Sequence, residues 1–257
     1  MSDTTNGSVT LQVNHAGAAT IRFFHPAQNS LPSALLAALT AAIVQAGADA
    51  TVKVIVLQSE GNRTFCAGAS FDELLRISNA EEGTAFFNGF AGVINACRKV
   101  PKLIIARVQG KAVGGGVGLA CAADYVLATT AAAIKLSELA IGIGPFVISP
   151  AVVRKIGMAA FSQLTIRATE FQTAEWARQQ GLYNEVYDTQ EELDAATATL
   201  VNQLAGYHPE AMANLKQILW EGTENWDELL QERAAISGRL VLSDFTQQAL
   251  RRFLGDK

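Results

Sequence analysis

Two short apolar runs constrain this chain more than any other feature. They are Val52–Leu57 (Val-Lys-Val-Ile-Val-Leu) and Leu103–Val108 (Leu-Ile-Ile-Ala-Arg-Val). Each is too short for a helix and lacks the apolar–polar alternation of a half-buried strand. Such runs fit strands covered on both faces, as in a parallel sheet. A helical pattern covers Glu81 to Arg98 between them. Another follows Pro32, read as a first helical position, through Leu35, Leu36, Leu39 and Ile43 to Gly47. The order of strands and helices implies right-handed crossovers and a mostly parallel α/β sheet. Val9, Leu11 and Val13 alternate, turn at His15-Ala16-Gly17 and resume at Ala19–Phe24, which predicts a hairpin. Shorter strands are expected at Tyr125–Ala128, Ala133–Leu136 and Glu185–Tyr187.

Beyond Phe171 helix formers dominate. Thr189 and Glu192 have capping-box spacing, Pro209 opens another helix, and helical patterns run from Trp226 almost to the end. This divides the chain into a core, 1–190, and a helical region, 191–257. With 49% apolar and 17% charged residues, the chain can bury a large core, and some of its surface is expected to be hidden in an oligomer. The net charge of −4 and the lack of a basic run argue against nucleic-acid binding. Cys66, Cys97 and Cys121 have neither disulfide-framework nor zinc spacing and read as reduced thiols. With only His15, His25 and His208, no metal site is expected. The polar stretch Met1–Gly7 has no apolar signal-peptide region, and no apolar run is long enough to span a membrane. A cytoplasmic protein is therefore expected.

The chemistry concentrates in two small-residue turns. Phe65-Cys66-Ala67-Gly68-Ala69-Ser70-Phe71 follows the first apolar run. Gly110-Lys111-Ala112-Val113-Gly114-Gly115-Gly116-Val117-Gly118-Leu119 follows the second. Small residues let backbone approach a ligand, and a helix start leaves N–H donors free for an anion. Glycine-rich strand-to-helix turns also serve tight packing alone, so these turns do not by themselves establish a site. Neither turn completes a P-loop or a G-x-G-x-x-G dinucleotide motif, and Ser70 is not in a G-x-S-x-G elbow.

The ordered set of motifs resembles the crotonase superfamily, also called enoyl-CoA hydratase/isomerase. It comprises His25-Pro26-Ala27-Gln28-Asn29-Ser30-Leu31, the two turns, Ala123-Asp124-Tyr125, and Ser137-Glu138-Leu139-Ala140-Ile141-Gly142-Ile143-Gly144-Pro145. The resemblance spans nearly the whole chain. It implies a stack of repeated ββα units with a C-terminal helical trimerisation region, the trimers often pairing as hexamers. It implies an acyl-CoA substrate whose thioester oxygen lies between the Ala69 and Gly115 N–H groups. The CoA moiety would run along Ala27, Gln28, Ala67 and Gly68, with Gly114 beside them. No metal or separate cofactor is implied, since coenzyme A is part of the substrate.

Hydratases of this family use two glutamates. One corresponds to Glu138; the other falls at Gly118, which has no side chain. Addition of water is conveniently shared between two carboxyl groups, whereas moving a proton between two carbons needs one base. The resemblance therefore leaves hydration and isomerisation both open, with a non-catalytic CoA-binding or assembly subunit as the alternative and a dinucleotide-binding protein as a weaker one. Asp72, Glu73, Glu81 and Glu82 could supply another acid but read as a solvated helical face. Asp124 is expected to be structural and Cys66 to be a packing residue. His25 and Lys111 read as an ordinary loop histidine and a solvated strand-end charge. Phe71 to Phe90 and the stretch from Phe146 onwards are expected to wall the acyl pocket, with Phe146 and Val147 shaping it. Arg251, Arg252 and Lys257 are candidates for CoA phosphates.

Overall fold

The structure is a computed structural model describing residues 7–255. The polar N-terminal stretch before Gly7, and Lys257, lie outside the described residues. The hairpin is present as antiparallel β1 (Ser8–Val13) and β2 (Ala18–Phe24). Helix α1 (Ser33–Ala48) then leads to β3 (Val54–Ser59). Pro32 is the residue before α1 rather than its first, and it brings no side-chain cap. The Glu73 carboxylate, from a later helix, instead accepts the Ser33 N–H at 2.8 Å. The 61–70 loop contains a short strand, β4 (Thr64–Cys66), which a three-residue segment could not announce by periodicity. Next come α2 (Phe71–Leu74), α3 (Ala80–Lys99), β5 (Leu103–Val108), β6 (Lys111–Val113), α4 (Gly115–Cys121), β7 (Tyr125–Thr129) and β8 (Ile134–Lys135). Helix α3 starts where the Asn79 side chain accepts the Glu82 N–H and carries Arg98 and Lys99 in its last turn, as its dipole favours.

A six-stranded sheet runs in the order β1-β2-β3-β5-β7-β9, with β9 at Glu185–Tyr187 and every pairing after the hairpin parallel. A three-stranded parallel sheet, β4-β6-β8, sits beside it. The missing alternation in the apolar runs has a simple cause. Ile55, Leu57, Ile104 and Ala106 face one core with α1 and α3, while Val54, Val56 and Ile105 face a second cluster with Leu193 and Val201. Those last two residues belong to α7 (Gln190–Ala205), which begins at the expected Thr189–Glu192 capping box. Together the paired sheets and alternating helices form the α/β ββα architecture.

The remaining helices are α5 (Ser149–Ile166), kinked at Gly157, α6 (Ala174–Gln179), α8 (Pro209–Leu219), α9 (Trp226–Leu240) and α10 (Asp244–Gly255). Trp226, Leu230, Ala234 and Leu250 from the last two share the larger core. Helices α3 and α9 touch at Gly83 and Gly238, where a Cβ on Gly83 would lie 2.7 Å from the Gly238 Cα. None of the described helices is long and apolar enough to cross a membrane.

Asp124 fastens α8 to the sheet. Its carboxylate accepts hydrogen bonds from the Ile104 N–H at 2.7 Å, Lys216 Nζ at 2.6 Å and Trp220 Nε1 at 2.7 Å. Lys216 is 2% exposed, so this ion pair is fully enclosed. Removing one partner of such a pair leaves an uncompensated buried charge. Lys216→Met is expected to lower unfolding free energy by about 3–5 kcal/mol, read from urea denaturation. An unchanged midpoint would mean that Asp124 does not hold α8.

Candidate functional site

The two glycine turns meet. Gly68 has φ +86°, and a Cβ there would lie 2.8 Å from the Val113 carbonyl oxygen and 3.3 Å from the Gly115 nitrogen. A Cβ on Gly116 would lie 2.8 Å from the Cys66 Cβ. Only backbone fits between the turns. The segment before α1 clamps the first turn: Ala67 N–H donates to the Gln28 carbonyl and Leu31 N–H to the Gly68 carbonyl. Gln28 and Asn29 adopt left-handed conformations, at φ 55° and 56°. The Asn29 side chain holds them, donating to the Glu60 and Thr64 carbonyls and accepting from His25 N–H. Such strain persists where the surroundings over-determine it, often beside a ligand.

Ala69 N–H and Gly115 N–H have no hydrogen-bond acceptor among the described residues, while Gly114 N–H donates to the Lys135 carbonyl at 2.8 Å. Gly115 is the first residue of α4, so its free donor is a helix-start N–H. Both residues line a narrow cavity of about 50 Å³ with Gly68, Gly114 and Glu138. Its other walls are mainly apolar and include the expected Phe71, Phe87, Phe90, Phe146 and Val147. A second cavity, of about 470 Å³, adjoins it through Ala67, Ala69, Phe71, Ser137 and Ile141, and carries Ala27 and Gln28. All eight sequence-selected residues thus line one or both adjoining cavities.

Glu138 precedes a 3₁₀ turn, Leu139–Ile141, and is directed at the second glycine turn. A Cβ on Gly114 would lie 2.9 Å from its Oε1. The residue keeps partial exposure, but Oε2 is buried and has no hydrogen-bond partner among the described residues. Burial away from water pushes its pKa up to about 7, opposed only by a backbone hydrogen bond. The gap at Gly118 is filled by Ile148. A Cβ on Gly118 would lie 2.5 Å from the Ile148 Cβ, and Ile148 is itself buried and lines the inner cavity.

None of the alternative acids lines the inner cavity. Glu73, read from sequence as solvated, caps α1; Glu82 accepts from Ser78; Asp72 faces the outer cavity. The C-terminal helix supplies apolar groups: Phe253 and Leu254 line the outer cavity, whereas Arg251 and Arg252 do not. His25 is tied locally, its Nδ1 3.1 Å from Ser30 Oγ. Cys66, Cys97 and Cys121 are buried and free, and burial pushes each thiol up to about 12, so none is a ready nucleophile. Among the described residues no cluster of His, Cys, Asp or Glu could hold a metal ion. Ile148 falls in the stretch from Phe146 onwards expected to form pocket walls, though its place against Gly118 was not foreseen; sequence reasoning missed Phe171 and Phe253, which lie far in sequence from the turns they approach.

Residues 14–253 match the family model described as enoyl-CoA hydratase/isomerase. The chain belongs to that family. It is 34% identical to an enoyl-CoA hydratase of Alternaria alternata, over 86% of this chain and 71% of the relative. It is 32% identical to the mitochondrial methylglutaconyl-CoA hydratase of Rattus norvegicus, over 77% of this chain and 63% of that protein. The fold is that of a crystal structure of an enoyl-CoA hydratase from Bacillus halodurans. That likeness has a TM-score of 0.87 and 22% identity, covering 95% of this chain and 99% of the other.

Gly118→Glu must displace Ile148. It is expected to cost about 1–3 kcal/mol of stability in chemical denaturation, with partial recovery on adding Ile148→Ala. Equal stability of Gly118→Glu and the parent would show that Ile148 does not occupy this space.

Proposed function

We propose that the chain moves a proton between carbons of an unsaturated acyl-CoA thioester, with Glu138 as the single base. The observation that carries this reading is a carboxylate with a buried, unpartnered oxygen in the same apolar cavity as two free backbone donors. With a 3-enoyl-CoA, Glu138 takes the proton from the α-carbon. The electron pair delocalises into a dienolate whose oxygen accepts hydrogen bonds from Ala69 and Gly115 N–H. The double bond shifts as the γ-carbon takes the proton back, and Glu138 returns to the carboxylate. Each donor contributes about 3–4 kcal/mol to stabilising the developing charge, because it is already oriented. Glu138 suits the task because its pKa lies near neutrality, where a group can both take and release a proton.

Hydration is the second reading, favoured by the printed names of the relatives. It must then proceed without a carboxylate at position 118, where Ile148 leaves no room beside the carbon skeleton. A non-catalytic acyl-CoA-binding subunit is the third, marked by tight binding without turnover. Coenzyme A enters and leaves with the substrate in each reading.

The proton-transfer reading is tested by assaying 3-enoyl-CoA isomerisation and crotonyl-CoA hydration side by side. Glu138→Gln is expected to reduce isomerisation by about 10²–10⁴-fold. In the parent, kcat/KM should rise with pH through about 7, because below that the base is protonated and inactive. Full activity in Glu138→Gln, or faster hydration than isomerisation in the parent, would overturn the proposal.

The assembly proposed is a homotrimer formed through the C-terminal helices, where Leu215, Ile218 and Leu219 of α8 stand exposed. Sedimentation is expected to give three chain masses, and Ile218→Asp a lighter species. A monomeric parent would exclude this assembly.

A further inference from the structure

The inner cavity contains a hydroxyl that the proton transfer does not use. Helix α9 buries Trp226, Leu230, Ala234, Ser237 and Gly238 along one face. That spacing is an apolar helical stripe, and the serine interrupts it. Ser237 is 1% exposed, yet its Oγ has no hydrogen-bond partner among the described residues. The other buried serine and threonine hydroxyls there all find one, as Ser149 does at the Phe146 carbonyl and Thr197 at the Leu193 carbonyl. Burying a hydroxyl without a partner costs stability, so an alanine here would serve the packing better.

Backbone packing fixes where this residue sits. A Cβ on the next residue, Gly238, would lie 2.7 Å from the Gly83 carbonyl carbon. That close approach seats α9 on α3, whose Phe87 and Phe90 line the inner cavity. Ser237 lines the same cavity and is not part of the outer one. Its Oγ is not sealed within the packing, as Thr165 Oγ1 is, so the cavity is the space it opens on. Only Ser137, Glu138 and Ser237 bring polar side chains to this lining. Ser137 is shared with the outer cavity, and Glu138 faces the second glycine turn. Ser237 is therefore the polar group on the α9 wall. Among the described residues no lysine, arginine or histidine lines the cavity.

We propose that Ser237 is a specificity residue that binds a neutral oxygen on the acyl chain, a carbonyl or hydroxyl beyond the reacting carbons. The proposal rests on the acyl-CoA reading and deepens it by naming the substrate class. That class is short unsaturated acyl thioesters with an oxygenated tail, as opposed to plain hydrocarbon ones. A serine hydroxyl both donates and accepts, so either oxygen can satisfy it. A carboxylate tail is disfavoured, because no cation lines the cavity and Glu138 would repel it. A hydrocarbon tail leaves the Ser237 hydroxyl desolvated and unpaired, which is how a hydrogen-bonding site rejects an analogue lacking the group. The cavity volume of about 50 Å³ suits a short tail.

The test measures binding by calorimetry in the parent and in Ser237→Ala. The probes are saturated, so no turnover interferes: hexanoyl-CoA, 4-oxohexanoyl-CoA, 5-oxohexanoyl-CoA, 6-hydroxyhexanoyl-CoA and hexanedioyl-CoA. In the parent, the best of the three neutral oxygenated chains is expected to bind about tenfold tighter than hexanoyl-CoA, the worth of one hydrogen bond. In Ser237→Ala that ratio should fall to about one, with hexanoyl-CoA bound at least as tightly as by the parent. A parent that binds hexanoyl-CoA and all three oxygenated chains equally would overturn the proposal and leave the acyl-CoA reading standing. That is the result expected if a water molecule satisfies Ser237. A preference that persists in Ser237→Ala would overturn the role of Ser237. Tightest binding of hexanedioyl-CoA would overturn the assignment to a neutral oxygen. Failure of the parent to bind any of the acyl-CoA probes would overturn the acyl-CoA reading, and this proposal with it.

Discussion

The site depends on the close approach of two backbone turns. Gly68 lies against the Val113 carbonyl and Gly116 against Cys66, with no space for a side chain at either point. Any larger residue would wedge the turns apart and separate Ala69 from Gly115. The parallel pairing of β4 with β6 sets the register of this approach. The hydrogen bond from Gly114 to Lys135 then draws β8 in, and β8 leads three residues on to Glu138. One steric condition thus aligns two donors and an acid drawn from three separate segments.

Asp124 and Glu138 show how burial can serve opposite ends. Asp124 is enclosed with a lysine, an indole N–H and a backbone N–H, so its charge is compensated and its role is mechanical. Glu138 has an unpartnered oxygen among apolar walls, and its pKa rises towards neutrality. Titratable groups displaced in this way are the ones suited to moving protons. Ile148 reinforces the contrast by filling the space at Gly118 with hydrocarbon.

The C-terminal helices are part of the same solid. Lys216 and Trp220 of the α8 segment reach Asp124, and α9 presses Gly238 onto Gly83 of α3. Helix α10 returns towards the site, where Phe253 meets Phe71 edge-on with ring centroids 5.0 Å apart. The wall of the outer cavity therefore includes both the first glycine turn and residues close to the chain's end.

Local sequence determined much of this architecture. The apolar runs without alternation required a sheet covered on both faces, and the glycines marked where backbone alone could pass. The ordered motifs pointed to Ala69, Gly115 and Glu138, and the missing side chain at Gly118 was visible without coordinates. Only tertiary structure decided what fills that gap, because Ile148 lies thirty residues away and nothing in the sequence pairs it with Gly118. The same holds for Glu73, which caps α1 although its local pattern reads as solvent-facing, and for Ser237, whose place in the inner cavity arises from the packing of α9 on α3. Periodicity and turn chemistry are local and can be read along the chain. Which side chains share a cavity, and whether a charge there finds a partner, depends on contacts between segments that sequence spacing does not encode.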